Sequence, residues 1–171
     1  MRYWYDSEFL EDGSTIDLIS IAFVAEDGRE YYAVNKDADW SRIRQDEWLM
    51  KNVVSQLPVV MDHPDFKPKK QIAEEVLEFL LAGGRPELYA WYAAYDHVAY
   101  VQLWGKMIDL PNGLPMYTHD VRSLLDWAIP KVQDRLDLPS QADGVHDALA
   151  DARHLKVRYE WIVERARKLA A

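Results

Sequence analysis

The sequence contains no cysteine. That absence excludes disulfides, thiolate zinc sites and cysteine nucleophiles, so any metal must be bound by oxygen or imidazole. Hard ions such as magnesium or manganese suit those donors. Long apolar runs are missing too: nowhere do about 18 apolar residues follow one another, the length a spanning helix requires. The opening MRYWYDSEFLEDG carries acids where a signal peptide would need an apolar stretch. A soluble cytoplasmic protein with no membrane partner is therefore expected. Basic residues are few, 20 against 29 acidic ones, for a formal net charge of −9. Broad binding to duplex nucleic acid rests on arrays of Lys and Arg and is disfavoured by that balance. A few carboxylates carrying divalent ions would still reverse the local field, and a short single strand asks less of the surface. No repeat or low-complexity tract is visible.

What is present is enough for one core. A chain of 171 residues, 49% hydrophobic, falls in the range of a single domain spanning 1–171. Seven Trp, ten Tyr and four Phe are available to stack on bases, although most aromatics in a domain of this size belong to the core.

The first third reads as strands. Arg2-Tyr3-Trp4-Tyr5 and Thr15 to Ala25 are aromatic or β-branched, and the turn dipeptide Asp27-Gly28 leads into Tyr31-Tyr32-Ala33-Val34. These predict a three-stranded antiparallel meander. Helical spacing follows, over Trp40 to about Val54 and over Lys69 to Leu81, with a proline-bearing loop from Pro58 to Pro68 between them. Leu88 to Tyr92 predicts a fourth strand running into a helix from about Asp96 to Met107, a natural junction for a ligand site. Met116-Tyr117-Thr118 is a candidate fifth strand before a short helix over Val121 to Trp127. From His146 onward Ala148, Ala152, Leu155, Tyr159, Ile162, Ala166 and Leu169 form one apolar stripe, so the last helix should pack on the sheet.

Against that frame a set of acids stands out. Asp6 and Glu8 flank Ser7 at the end of the first strand, and period-two alternation sends both to one side of the sheet, where they repel unless a cation joins them. Taken alone, D-x-E is more often a pair of solvated residues at a strand end. Asp96 follows the fourth strand, where helix capping is its plain alternative role. His146 and Asp151 are five residues apart, about 140° round a helix, so they cannot share a face. His146 must sit at or before the first turn and Asp151 inside the helix. Their ordinary reading is a loop histidine and a first-turn acid favoured by the helix dipole. Together these residues ask for one structure, with acids from two strand ends and a terminal helix converging on one sheet edge. Phosphodiester hydrolysis needs such a cluster: two divalent ions about 3.5–4 Å apart activate water and stabilise the leaving oxygen, and a neutral imidazole takes the proton.

The order D-x-E, then Asp after a strand, then H-x-x-x-x-D near the C-terminus resembles the DEDD 3′-5′ exonucleases of the ribonuclease H-like fold, in the subgroup with a histidine base. The opening YDSEFLEDG is most similar to the polyadenylate-specific ribonuclease AS branch. The resemblance implies an α/β ribonuclease H-like fold with a mixed five-stranded sheet flanked by helices. It further implies Asp6, Glu8, Asp96 and Asp151 as ligands of two Mg2+ or Mn2+ ions, with His146 as general base. Single-stranded RNA, with poly(A) 3′ ends favoured, would be digested to nucleoside 5′-monophosphates by a homodimer. Ser7 and Phe9 are candidates to touch the terminal nucleotide. Two departures bear on how that nucleotide is held: Tyr92 stands where many relatives have Asn, and Leu10-Glu11 replaces a common Thr-Gly. Rival readings are a DNA or short-oligonucleotide exonuclease, a ribonuclease H-like module that binds without cutting, and an all-helical phosphohydrolase built on the pair His146-Asp147. The last fits a strand-rich start poorly, and His63, His97, His119 and His154 show no ligand spacing.

Overall fold

The expected meander is present in a computed structural model of residues 1–171. Strands β1 (Arg2–Glu11), β2 (Ile16–Ala25) and β3 (Glu30–Asn35) pair antiparallel in sequence order. The β2–β3 hairpin closes at Asp27-Gly28, where Gly28 takes φ +90° and its N–H donates to the Ala25 carbonyl. Only glycine adopts that backbone cheaply.

Three short strands complete a six-stranded mixed sheet of order β4-β3-β2-β1-β5-β6, rather than the five strands expected. They are β4 (Phe66–Lys67), β5 (Glu87–Ala90) and β6 (His119–Asp120). The additional strand is β4, inside the stretch read as loop. Two residues among prolines carry no period-two signal, yet the Lys36 N–H reaches the Lys67 carbonyl at 2.9 Å. The last strand lies just beyond Met116-Tyr117-Thr118, at His119–Asp120. β4 pairs parallel to β3, β5 to β1 and β6 to β5.

The helices are α1 (Trp40–Ile43), α2 (Glu47–Asn52), α3 (Lys69–Leu81), α4 (Ala94–Val101), α5 (Val121–Ala128) and α6 (Ala148–Ala170). The single helix expected over 40–54 is two, because Asp46 caps α2 by accepting from the Leu49 N–H at 2.9 Å. α4 stops short of Met107, ahead of Gly105 at φ +102°. α6 begins two residues after His146, with Asp147 as its cap.

Alternation along β1 decides what meets each face. Tyr3 and Tyr5 join one core with Ile72, Val76 and Leu80 of α3 and Tyr100 of α4. Trp4 joins the opposite core with Leu125 of α5 and Leu155, Tyr159 and Ile162 of α6. The next even positions, Asp6 and Glu8, therefore fall on the α6 side. β5 accompanies β1 only from Arg2 to Trp4, which leaves the further half of that β1 edge open. No helix is long and apolar enough to cross a membrane.

Candidate active site

Asp6 and Glu8 lie within β1, which runs on to Glu11, and not at its end. Across the ladder they face Ala22 and Ser20 of β2. Ala22, Ala148 and Ala152 are all fully buried in one small cluster. Three methyl-sized side chains let α6 lie close on the strand, and that approach carries Asp151 to the acids of β1. Asp96 arrives from the other direction. Because β5 has left β1 after Trp4 and turned into α4, the Ser7 N–H donates to Asp96 Oδ1 at 2.9 Å, and the Ser7 hydroxyl donates to the same oxygen at 2.6 Å. Asp96 is only 5% exposed and does not cap its helix: the cap residue is Ala93, without a side-chain bond.

The loop ahead of α6 folds back on Asp151. The His146 backbone N–H donates to Asp151 Oδ2 at 3.0 Å, and Gln141 Nε2 donates to Oδ1 at 2.6 Å. His146 has φ +69°, a region non-glycine residues enter only when their surroundings hold them there. Its ring meets Trp48 of α2 edge-on, centroids 4.8 Å apart. A ring nitrogen of His146 and carboxylate oxygens of Glu8 and Asp151 all lie within 4.8 Å of one another. Asp147 is engaged elsewhere, accepting from the Ala150 N–H at 2.8 Å.

Burial and mutual repulsion dominate the electrostatics. Burial, then the charges of Asp96, Glu8 and Asp151, push the Asp6 carboxyl far above its ordinary range. Burial, reinforced by Asp151 and Asp96, raises Glu8 to about 8. Asp96 is raised to about 6 by burial, opposed by the Ser7 hydrogen bonds. Asp151 is raised by burial and eased by Gln141 and His146. Carboxylates held this way favour a proton or a multivalent cation. The oxygens of Glu8 and Asp151, joined by the His146 imidazole, make a donor set that fits a hard divalent ion, while Asp6 and Asp96 lie outside that close group.

Of the two residues considered for nucleotide contact, Ser7 is 5% exposed with its hydroxyl committed to Asp96. Phe9 is half-buried and stacks nearly parallel on Tyr95, centroids 5.7 Å apart. Tyr92 has φ +57° and is 64% exposed. That backbone region tolerates Asn better than Tyr. Sequence reasoning missed Trp48 and Gln141. Nothing local distinguishes a tryptophan about a hundred residues from its histidine, and Gln141 lies in a polar loop of no regular period.

The family model for the 3′-5′ exoribonuclease Rv2179c-like domain matches residues 1–163. The 3′-5′ exoribonuclease Rv2179c of Mycobacterium tuberculosis is 44% identical over 165 residues, covering 95% of this chain and 93% of the relative. The 3′-5′ exoribonuclease MT2234.1 of a second strain of that organism matches to the same extent. Among solved structures, S. pombe Pop2p in its Mg2+- and Mn2+-bound form superposes with a TM-score of 0.61 at 14% identity, covering 97% of this chain and 83% of that one. At that identity the likeness is one of fold.

Proposed function

The chain belongs to the Rv2179c-like 3′-5′ exoribonuclease family, and on that premise we propose that Asp6, Glu8, Asp96 and Asp151 hold two Mg2+ or Mn2+ ions and that His146 is the general base. The observation that carries this reading is the convergence of buried and half-buried carboxylates from β1, α4 and α6, none of which forms a salt bridge with a Lys or Arg. When bound, the cations supply a polarised water and charge stabilisation for the leaving oxygen. Ser7 fixes Asp96 through two hydrogen bonds to one oxygen. Gln141 and the His146 N–H fix Asp151. His146 stands ahead of α6 beside Glu8, where its ring can take a proton from the attacking water. Trp48 limits how far that ring can turn.

The substrate in this reading is single-stranded RNA, with adenylate-rich 3′ ends preferred, and the products are nucleoside 5′-monophosphates. The chain is taken to act in the cytoplasm as a homodimer, which light scattering would check. With manganese or magnesium, a labelled oligoadenylate should release AMP from its 3′ end, faster than oligo-U or oligo-C releases its nucleotide. Asp6→Asn and Asp151→Ala should each abolish release while circular dichroism stays native. Intact RNA at high enzyme concentration would refute the reading, and equal rates on DNA would widen the substrate.

A further inference from the structure

Against the acid cluster lies a cavity of about 330 Å3 whose outer wall the chemistry above does not use. Asp6 and Asp151 form part of its wall, and Trp91, Gln141, His154 and Arg158 line the rest with loop residues. Arg158 is the unusual member. It is half-buried, its Nε donates to the Pro139 carbonyl at 3.1 Å, and its guanidinium lies 4.7 Å from the centre of the Trp91 ring. No carboxylate forms a direct ion pair with it, although the charge of Asp151 acts on it and partly offsets its burial. Arg153, five residues earlier on the same helix and more exposed, pairs with Glu30 through two nitrogens. Arg2, Arg29, Arg42, Arg122 and Arg135 each have a carboxylate partner as well; Arg44, Arg85, Arg165 and Arg167 have none, but of the unpaired arginines it is Arg158 that shares a cavity with Asp6 and Asp151.

A partly desolvated cation with free terminal nitrogens is costly unless an anion meets it. In a chain of net charge −9, a guanidinium left uncommitted next to two acids calls for an anion from outside. The planar fork of arginine matches phosphate, and a stacked aromatic holds the plane in place. His154 adds a second polar atom in need of a partner, for its Nε2 is buried and makes no hydrogen bond. Helical geometry supports the placement. Arg158 is seven residues beyond Asp151, on nearly the same face of α6 and about 10.5 Å along its axis. Side chains lean toward the helix N-terminus, so the guanidinium reaches back toward the Asp151 turn.

We propose that this cavity receives the internucleotide phosphate next to the scissile one, on its 5′ side, with Arg158 as the phosphate-binding residue and Trp91 as the residue that positions it. The inference rests on the exonuclease reading above. A strand whose terminal phosphate sits at the acids then runs its next phosphate into the adjoining cationic cavity. The interaction is the same before and during cleavage, so it should appear in KM and not in kcat.

The test compares two oligoadenylates, one natural and one with a neutral methylphosphonate replacing only that neighbouring phosphate. The wild type should show a KM roughly tenfold higher on the modified strand, the scale of one charge-assisted hydrogen bond. Arg158→Gln should raise KM on the natural strand by a similar factor and show little further penalty for the modification. Arg158→Lys, which keeps the charge and loses the fork, should fall between. The proposal is overturned if Arg158→Gln pays the same methylphosphonate penalty as the wild type, or if its effect is confined to weaker inhibition by AMP, which would place a product phosphate there. Should Arg158→Gln fail to fold, the wild type alone decides, since equal KM on both strands overturns the proposal. A wild type that cuts neither strand would instead remove the exonuclease reading.

Discussion

Ser7 shows how a residue between two acids can matter through its neighbour. Its hydroxyl and amide both hold Asp96 Oδ1, the kind of outer contact that orients a metal-binding carboxylate. Ser7→Ala should therefore weaken divalent-ion affinity by about 10–100-fold while the melting temperature changes little, which titration calorimetry would read directly. A normal affinity would mean that the amide alone suffices. Tyr92 presents the opposite case, a residue that its backbone disfavours. At φ +57° and 64% exposed, it bears left-handed strain with little packing in return. Tyr92→Asn should raise stability by about 1 kcal/mol, the cost of that conformation for an ordinary side chain. Denaturant unfolding measures this, and a loss of stability would show that contact with Trp91 outweighs the strain.

At the scale of elements, α6 does two tasks at once: it closes one face of the sheet through Leu155, Tyr159 and Ile162, and it delivers Asp151. The small contact Ala22, Ala148 and Ala152 sets its height above β1. Ala152→Leu should cost about 1–3 kcal/mol by overpacking and should reduce activity far more than that loss implies, because Asp151 moves with the helix. Proportionate losses in a melting curve and a rate assay would disprove this coupling. Those elements were legible where a signal is sustained: the apolar run of β2, the stripe of α6 and the thirteen residues of α3, whereas β1 was legible only over Arg2–Tyr5, because its further half carries acids where a strand signal would be apolar. β4 and β6, two residues each, repeat nothing. They exist because neighbouring strands offer unpaired groups. The acids were readable as a set, since alternation and helix phase constrain which side each can face. The contacts that hold them, Ser7 to Asp96 and Gln141 to Asp151, depend on where chain segments cross, which no local pattern records.

Over the whole molecule, an excess of nine negative charges and a knot of buried carboxylates act in the same direction, and pH separates them. Glu8 ordinarily titrates near 4.5 and in the folded chain is raised to about 8. A carboxyl whose folded value is raised contributes stability that is complete below its unfolded value and is lost as pH rises through the folded one. Chelator-treated protein should therefore lose on the order of a few kcal/mol between those limits. Glu8→Gln should flatten that decline, whereas a change at an exposed acid such as Glu164 should leave its shape unaltered. A divalent ion binds the charged form and competes with the proton, so its stabilisation should grow with pH. At a hundred times Kd it is worth about 2.7 kcal/mol, and the gain in melting temperature from manganese should be larger at about pH 8 than at about pH 6. An equal gain at both would mean that the ion binds at the exposed acidic surface, where carboxylates are ionised throughout that range, and not among Asp6, Glu8, Asp96 and Asp151.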